Sequence, residues 1–149
     1  MRLILCLLLA ICMASTLAGC TENNDITALY EPEYHDAVLP PTAEYRRISA
    51  SEARLIMETE YDFILLDVRT HAEFAEAHIE GALLIPVDEI MSLAPDLLPN
   101  TAQIILIYCR SGQRSRNAAL ALLDMGHTAV YDFGGIISWP YGTVSGILD

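Results

Sequence analysis

Residues 105–126 read ILIYCRSGQRSRNAALALLDMG, an apolar run, one cysteine, a polar turn rich in arginine, and an apolar-periodic segment ending in glycine. With Ile104 included, residues 104–108 have the length and unbroken apolarity of a strand covered on both faces. Residues 115–125 carry the helical period, and Gly126 supplies the stop. The intervening RSGQR is short and contains glycine, so it reads as the turn from strand into helix. A buried strand that feeds a helix in this way belongs to a parallel sheet with helices packed on it. Ligands bind such sheets beyond the carboxyl ends of the strands, and Cys109 falls at that end.

The same alternation continues on both sides of this unit. Residues 45–48 read as a short strand. Ser49-Ala-Ser-Glu52 has the spacing of a capping box and opens an amphipathic run through Met57. Residues 63–66 form a second buried-strand pattern, and Thr70-His-Ala-Glu73 is a second capping box, opening a short helix with Phe74. Residues 82–85 read as a strand stopped by Pro86, residues 87–93 as a helix ahead of Pro95, and residues 128–133 as the last strand before Gly134-Gly135. The expectation is one α/β domain over residues 44–149, its central sheet mainly parallel and flanked by helices.

The chain carries 8 basic residues against 20 acidic ones, for a formal net charge of -12, and every basic residue is arginine. That balance argues against a nucleic-acid partner, whose affinity rests on neutralised phosphates. The acidity reads as a soluble, self-repelling surface. Against it, the cluster of Arg110, Arg114 and Arg116 stands out.

Residues 1–19, MRLILCLLLAICMASTLAG, combine one arginine, an apolar stretch and a small-residue exit, the pattern of a secretory signal. The apolar part is shorter than the roughly 20 residues a spanning helix needs. The exit LAGC resembles the bacterial lipobox, which implies a lipoprotein signal peptide, cleavage before Cys20 and lipid on Cys20. An ordinary signal peptide and an uncleaved anchor are the alternatives. Residues 20–43 then read as lipidated cysteine and tether, interrupted by Pro32, Pro40 and Pro41. The expected location is the cell envelope, on the periplasmic or extracytoplasmic face of a membrane. Cys6 and Cys12 leave with the signal and Cys20 carries lipid, so Cys109 remains as a lone thiol where disulfides persist. No disulfide framework and no cysteine-based metal site can be built from it.

A lone thiol is either inert and buried or reactive. Here a polar turn and a helix start follow it, so backbone N–H groups and the positive end of the helix dipole converge on Sγ. With Arg110 and Arg114 nearby, the thiol is expected to ionise readily and to act as a nucleophile toward sulfur or phosphorus.

The segment resembles the active-site loop of rhodanese-like sulfurtransferases. LLDVRTHAEFAEAHIEGALLIP, residues 65–86, resembles that family's upstream hallmark through Asp67, Arg69, Glu73, Phe74, His78, Gly81 and Pro86. GGIISWPYG, with Gly134, Gly135 and Trp139, resembles its closing signature. The resemblance implies a sulfurtransferase in which Cys109 accepts a sulfane sulfur as a persulfide, with no cofactor and no metal. The loop residues Arg110, Ser111, Gly112, Gln113, Arg114 and Ser115 surround the outer sulfur, and Arg110 and Arg114 are the candidates for holding an anionic donor such as thiosulfate. A thiol or cyanide is the expected acceptor. Asp67 and Arg69 are expected to support the fold and loop as an ion pair, His78 to pack or hydrogen-bond, and Trp139 to wall a core or pocket. AHIEG at residues 77–81 departs from the family's usual Gly-His-Ile-Pro-Gly turn.

Three rival readings remain. Cysteine phosphatases and arsenate reductases place arginine six positions after the cysteine, where this chain has Ser115 and brings Arg114 one residue earlier. A loop so shortened suits one sulfur atom better than a tetrahedral phosphate. A persulfide carrier or partner-docking module would use the same atoms without turnover. Thiol–disulfide exchange lacks a resolving cysteine in the mature chain.

Overall fold

The computed structural model describes residues 44–146. The segments read above as signal peptide and tether, with Cys20, lie outside the described residues, as do residues 147–149.

Five parallel strands form one sheet: β1 (Arg46–Arg47), β2 (Phe63–Asp67), β3 (Leu83–Leu84), β4 (Ile104–Cys109) and β5 (Val130–Gly135), in the order β1-β5-β4-β2-β3. Four helices connect them: α1 (Ala50–Thr59), α2 (His71–Glu76), α3 (Ile90–Leu97) and α4 (Gln113–Asp124). The α/β class and parallel sheet expected from the sequence are those of the structure. β4 lies at the centre, so Ile105 to Cys109 are buried. Its side chains alternate between faces. Ile105, Ile107 and Cys109 join a core with Ala94 and Leu98 from the α3 side and Ala118, Ala119 and Leu122 of α4. Tyr108 points the other way and starts an aromatic series, with ring centroids 5.4 Å from Phe133 and Phe133 a further 5.4 Å from Trp139.

Both expected capping boxes form. Ser49 and Glu52 satisfy each other's backbone amides at the start of α1, and Thr70 and Glu73 do so at α2. At the other end of α4, Gly126 adopts φ +95°, which lets His127 N–H reach Leu122 O and Gly126 N–H reach Leu123 O.

Two helix boundaries differ from the sequence reading. Instead of a helix over residues 87–93, a 3-10 turn (Val87–Glu89) leads into α3, which runs through Pro95 to Leu97. Proline removes one backbone donor, but Ala94 and Leu98 are buried at 0% and 1% exposure and hold the last turn in place. Tertiary packing outweighs local preference there. The other difference affects the chemistry: α4 begins at Gln113, two residues before Ser115. Its N-cap is Gly112, at φ +104°, a conformation costly for any residue with a Cβ. The last strand also shifts, to Val130–Gly135, taking in the glycine pair.

Candidate functional site

The early start of α4 draws the loop after Cys109 into a tight cup. Sγ, 1% exposed at the residue level, accepts the Gly112 N–H at 3.0 Å. Burial pushes the thiol pKa up, but the amide and hydroxyl of Ser115 and the amides of Gly112 and Ser111 outweigh it, so the pKa lies below its ordinary value. The Ser115 hydroxyl has one proton and lies 3.2 and 3.3 Å from the carbonyls of Gly112 and Gly134. The thiolate therefore depends chiefly on the amides. These are oriented by α4, so they need no reorganisation when charge develops on sulfur. Arg110 and Ser111 are exposed at the rim, as is Gln113 in the first turn of α4, while Gly112 and Ser115 are buried beneath them.

Arg114 is not a free cation at this rim. Its guanidinium grips Glu73 with two hydrogen bonds of 2.6 and 2.7 Å. Glu73 also accepts from the Thr70 amide at 3.1 Å, and Arg114, ahead of Thr70, brings its pKa from the ordinary 4.5 to about 2. The pair joins the start of α2 to the start of α4. Because Glu73 is ionised more readily in the folded chain, its contribution is present above pH 4.5 and is lost as pH falls toward 2. Arg114→Met should lower stability at pH 7 by about 1 kcal/mol, since the pair is bidentate but partly exposed. It should also flatten the acid limb of stability between pH 4.5 and 2, which denaturant titration at several pH values checks.

Asp67 and Arg69 form a buried pair at 0% and 5% exposure. Arg69 binds the carboxylate through Nη2 at 2.6 Å and Nε at 2.9 Å, and also donates to Ala77 O at 2.6 Å. This arrangement fastens the turn after β2 to the end of α2. His78 stacks on Phe74 with centroids 3.8 Å apart and shares a 2.9 Å hydrogen bond with the Phe74 carbonyl, so it is a packed residue rather than a base at sulfur. Trp139 lines a cleft of about 430 Å³ together with Arg54, Met57, Ile79 and Tyr141. No cup residue borders that cleft.

Three residues have roles at the site that no local pattern in the sequence gives. Glu73 appears in the sequence as a capping residue, without its arginine partner. Gly135 pairs with Cys109 across the sheet, and a Cβ there would lie 2.5 Å from Arg110 O. Asp132 is completely buried and accepts the Tyr45 hydroxyl at 2.7 Å and the Gly134 amide at 2.8 Å. It stabilises a bulge in which Phe133 is skipped between the β4 partners of Asp132 and Gly134.

Residues 49–140 match the profile of the rhodanese-like domain. The chain belongs to this family. This rhodanese-like domain is 37% identical over 92 residues to a sulfurtransferase of Allochromatium vinosum, covering 61% of this chain and 83% of that protein. It is 31% identical over 71 residues to the thiosulfate sulfurtransferase PspE of Escherichia coli, covering 48% and 68%. The crystal structure of a rhodanese-like domain protein from Staphylococcus aureus superposes with a TM-score of 0.59 at 30% identity, covering 68% of this chain and 99% of that one. These relatives support sulfur transfer as the rhodanese-like domain's general chemistry. Among its described residues, no three His, Cys, Asp or Glu side chains cluster as metal ligands.

Proposed function

We propose that the protein is a sulfurtransferase that carries a sulfane sulfur on Cys109, taking it from a small anionic donor such as thiosulfate and passing it to a thiol or cyanide. The Gly112 amide at 3.0 Å from Sγ, at the start of α4, carries this reading, because it belongs to a cup that holds negative charge on one sulfur atom. The Cys109 thiolate attacks the outer sulfur of thiosulfate. A bond forms between Sγ and that sulfur, the donor's S–S bond breaks, and sulfite leaves with the electron pair. The persulfide anion then occupies the cup until the acceptor attacks the outer sulfur and restores the thiolate. Intact-mass measurement of the reductant-free protein after thiosulfate treatment should show one added sulfur, discharged by cyanide with release of thiocyanate. An unchanged mass would overturn the reading. A mass gain that cyanide and thiols leave in place would favour a carrier that needs a dedicated partner.

The second part of the proposal is location. The LAGC exit at residues 17–20 supports a lipid-anchored protein of the cell envelope, with Cys20 as the attachment point. Cys20→Ala should move the protein from the membrane fraction to the soluble fraction or leave it unprocessed. Retained membrane attachment of a cleaved Cys20→Ala chain would exclude lipid on Cys20.

A further inference from the structure

With Arg114 committed to Glu73, Arg110 at the exposed rim is the one loop arginine left for an anionic donor, and a second cation can come only from elsewhere in the fold. The structure supplies one from the far edge of the sheet. β1 pairs with β5, and its Arg47 reaches across the bulge so that its guanidinium lies over two glycines of the site. A Cβ on Gly112 would be 3.1 Å from Arg47 Nη1, and one on Gly134 would collide with Arg47 Nη2. Gly112 donates to Sγ, and the Gly134 carbonyl lies beside the Ser115 hydroxyl, so the guanidinium sits on backbone that forms the cup.

Its charge is only partly offset. The single carboxylate contact recorded for it among the described residues is Asp132 Oδ2 at 3.5 Å, and that buried carboxylate already takes two shorter hydrogen bonds from Tyr45 and Gly134. About half of the Arg47 side chain, 52%, faces solvent. Its pKa is raised first by the adjacent Tyr45 hydroxyl, and the negative charges of Asp132 and of Cys109 add to this. A planar guanidinium fork half open to solvent is well suited to an oxyanion such as a sulfonate end.

We propose that Arg47 holds the anionic end of the sulfur donor and makes the site prefer charged donors over neutral ones of similar size. This assignment rests on the sulfur-transfer reading for its substrate, but it is a statement about charge at the cup and can be tested apart from turnover. The probes are two alkylating reagents that differ in charge, iodoacetate and iodoacetamide. Each is reacted with Cys109 at a pH where the thiolate is fully formed, and the ratio of the two rate constants removes any difference in thiolate reactivity.

Arg47→Gln keeps a planar N–H donor beside Asp132 and removes the charge. It should lower the iodoacetate-to-iodoacetamide ratio about fivefold or more, while Arg47→Lys should retain part of the preference. High salt should shrink the difference between native protein and Arg47→Gln. An unchanged ratio in Arg47→Gln, or a fall seen in Arg110→Gln but not in Arg47→Gln, would overturn the assignment. If the ratio falls as expected while thiosulfate adds no sulfur to the native protein, the sulfur-transfer reading fails and the anion site at Arg47 stands.

Discussion

Cys109→Ser should reduce sulfur transfer by about a thousandfold or more while leaving the domain folded. The side chain is 1% exposed among Ile107, Ala118 and their neighbours, and an oxygen there can still accept the Gly112 amide. The loss is chemical. A serine hydroxyl stays protonated at neutral pH, whereas the amides of Ser115, Gly112 and Ser111 outweigh burial and stabilise the Cys109 thiolate. Oxygen also cannot hold sulfane sulfur as a persulfide anion. The native enzyme provides the complementary test. Its rate of reaction with iodoacetamide should rise with pH and level off below the ordinary thiol range, because the folded pKa is lowered. Turnover, thermal denaturation and the alkylation profile together separate a lost nucleophile from a lost fold. A midpoint at or above the ordinary thiol value would show that burial prevails over the amides.

The fold was legible because its determinants are local. Buried strands need continuous apolar runs, and β2 and β4 have them; capping boxes need two residues at fixed spacing, and Ser49/Glu52 and Thr70/Glu73 supply them. Cys109 was legible for the same reason, since strand end, glycine and helix start are consecutive in the chain. The cation assignment was not. Arg114 follows Cys109 by five residues, but its partner Glu73 is 41 residues away, and no spacing rule connects them. Arg47 is more distant still, in a two-residue strand whose neighbour in the sheet is the last strand, β5. That adjacency is a matter of strand order, which apolar periodicity does not encode. The misread end of α3 has a similar origin: Pro95 is a local stop signal, and the burial of Leu98 that overrides it depends on what the helix packs against.

Gly135→Ala should cost about a hundredfold in kcat/KM, through a displacement of the loop that carries the amides. Gly135 has φ -120° and ψ 135°, ordinary extended backbone, so the cost is not conformational. It is steric: a Cβ would lie 2.5 Å from Arg110 O, 2.7 Å from Ser111 Cα and 3.0 Å from Arg110 C. All three are backbone atoms, and none can rotate aside as a side chain would. Either β5 or the residues after Cys109 must move by a sizeable fraction of an ångström. The Ser111, Gly112 and Ser115 amides are set by that same stretch of backbone, and hydrogen bonds to sulfur weaken steeply when their alignment is lost. The Cys109 thiol should then titrate closer to its ordinary value, with slower iodoacetamide reaction at neutral pH. Gly81→Ala makes the control. Gly81 has φ +81° and open space around its Cβ position, so alanine there should cost about 1 kcal/mol of stability and leave the alkylation profile of Cys109 unchanged. If Gly135→Ala lowered stability to the same degree but left the Cys109 profile intact, the loop would tolerate the displacement. The amide cup would then be held by α4 alone, without the close packing of β5 beneath it.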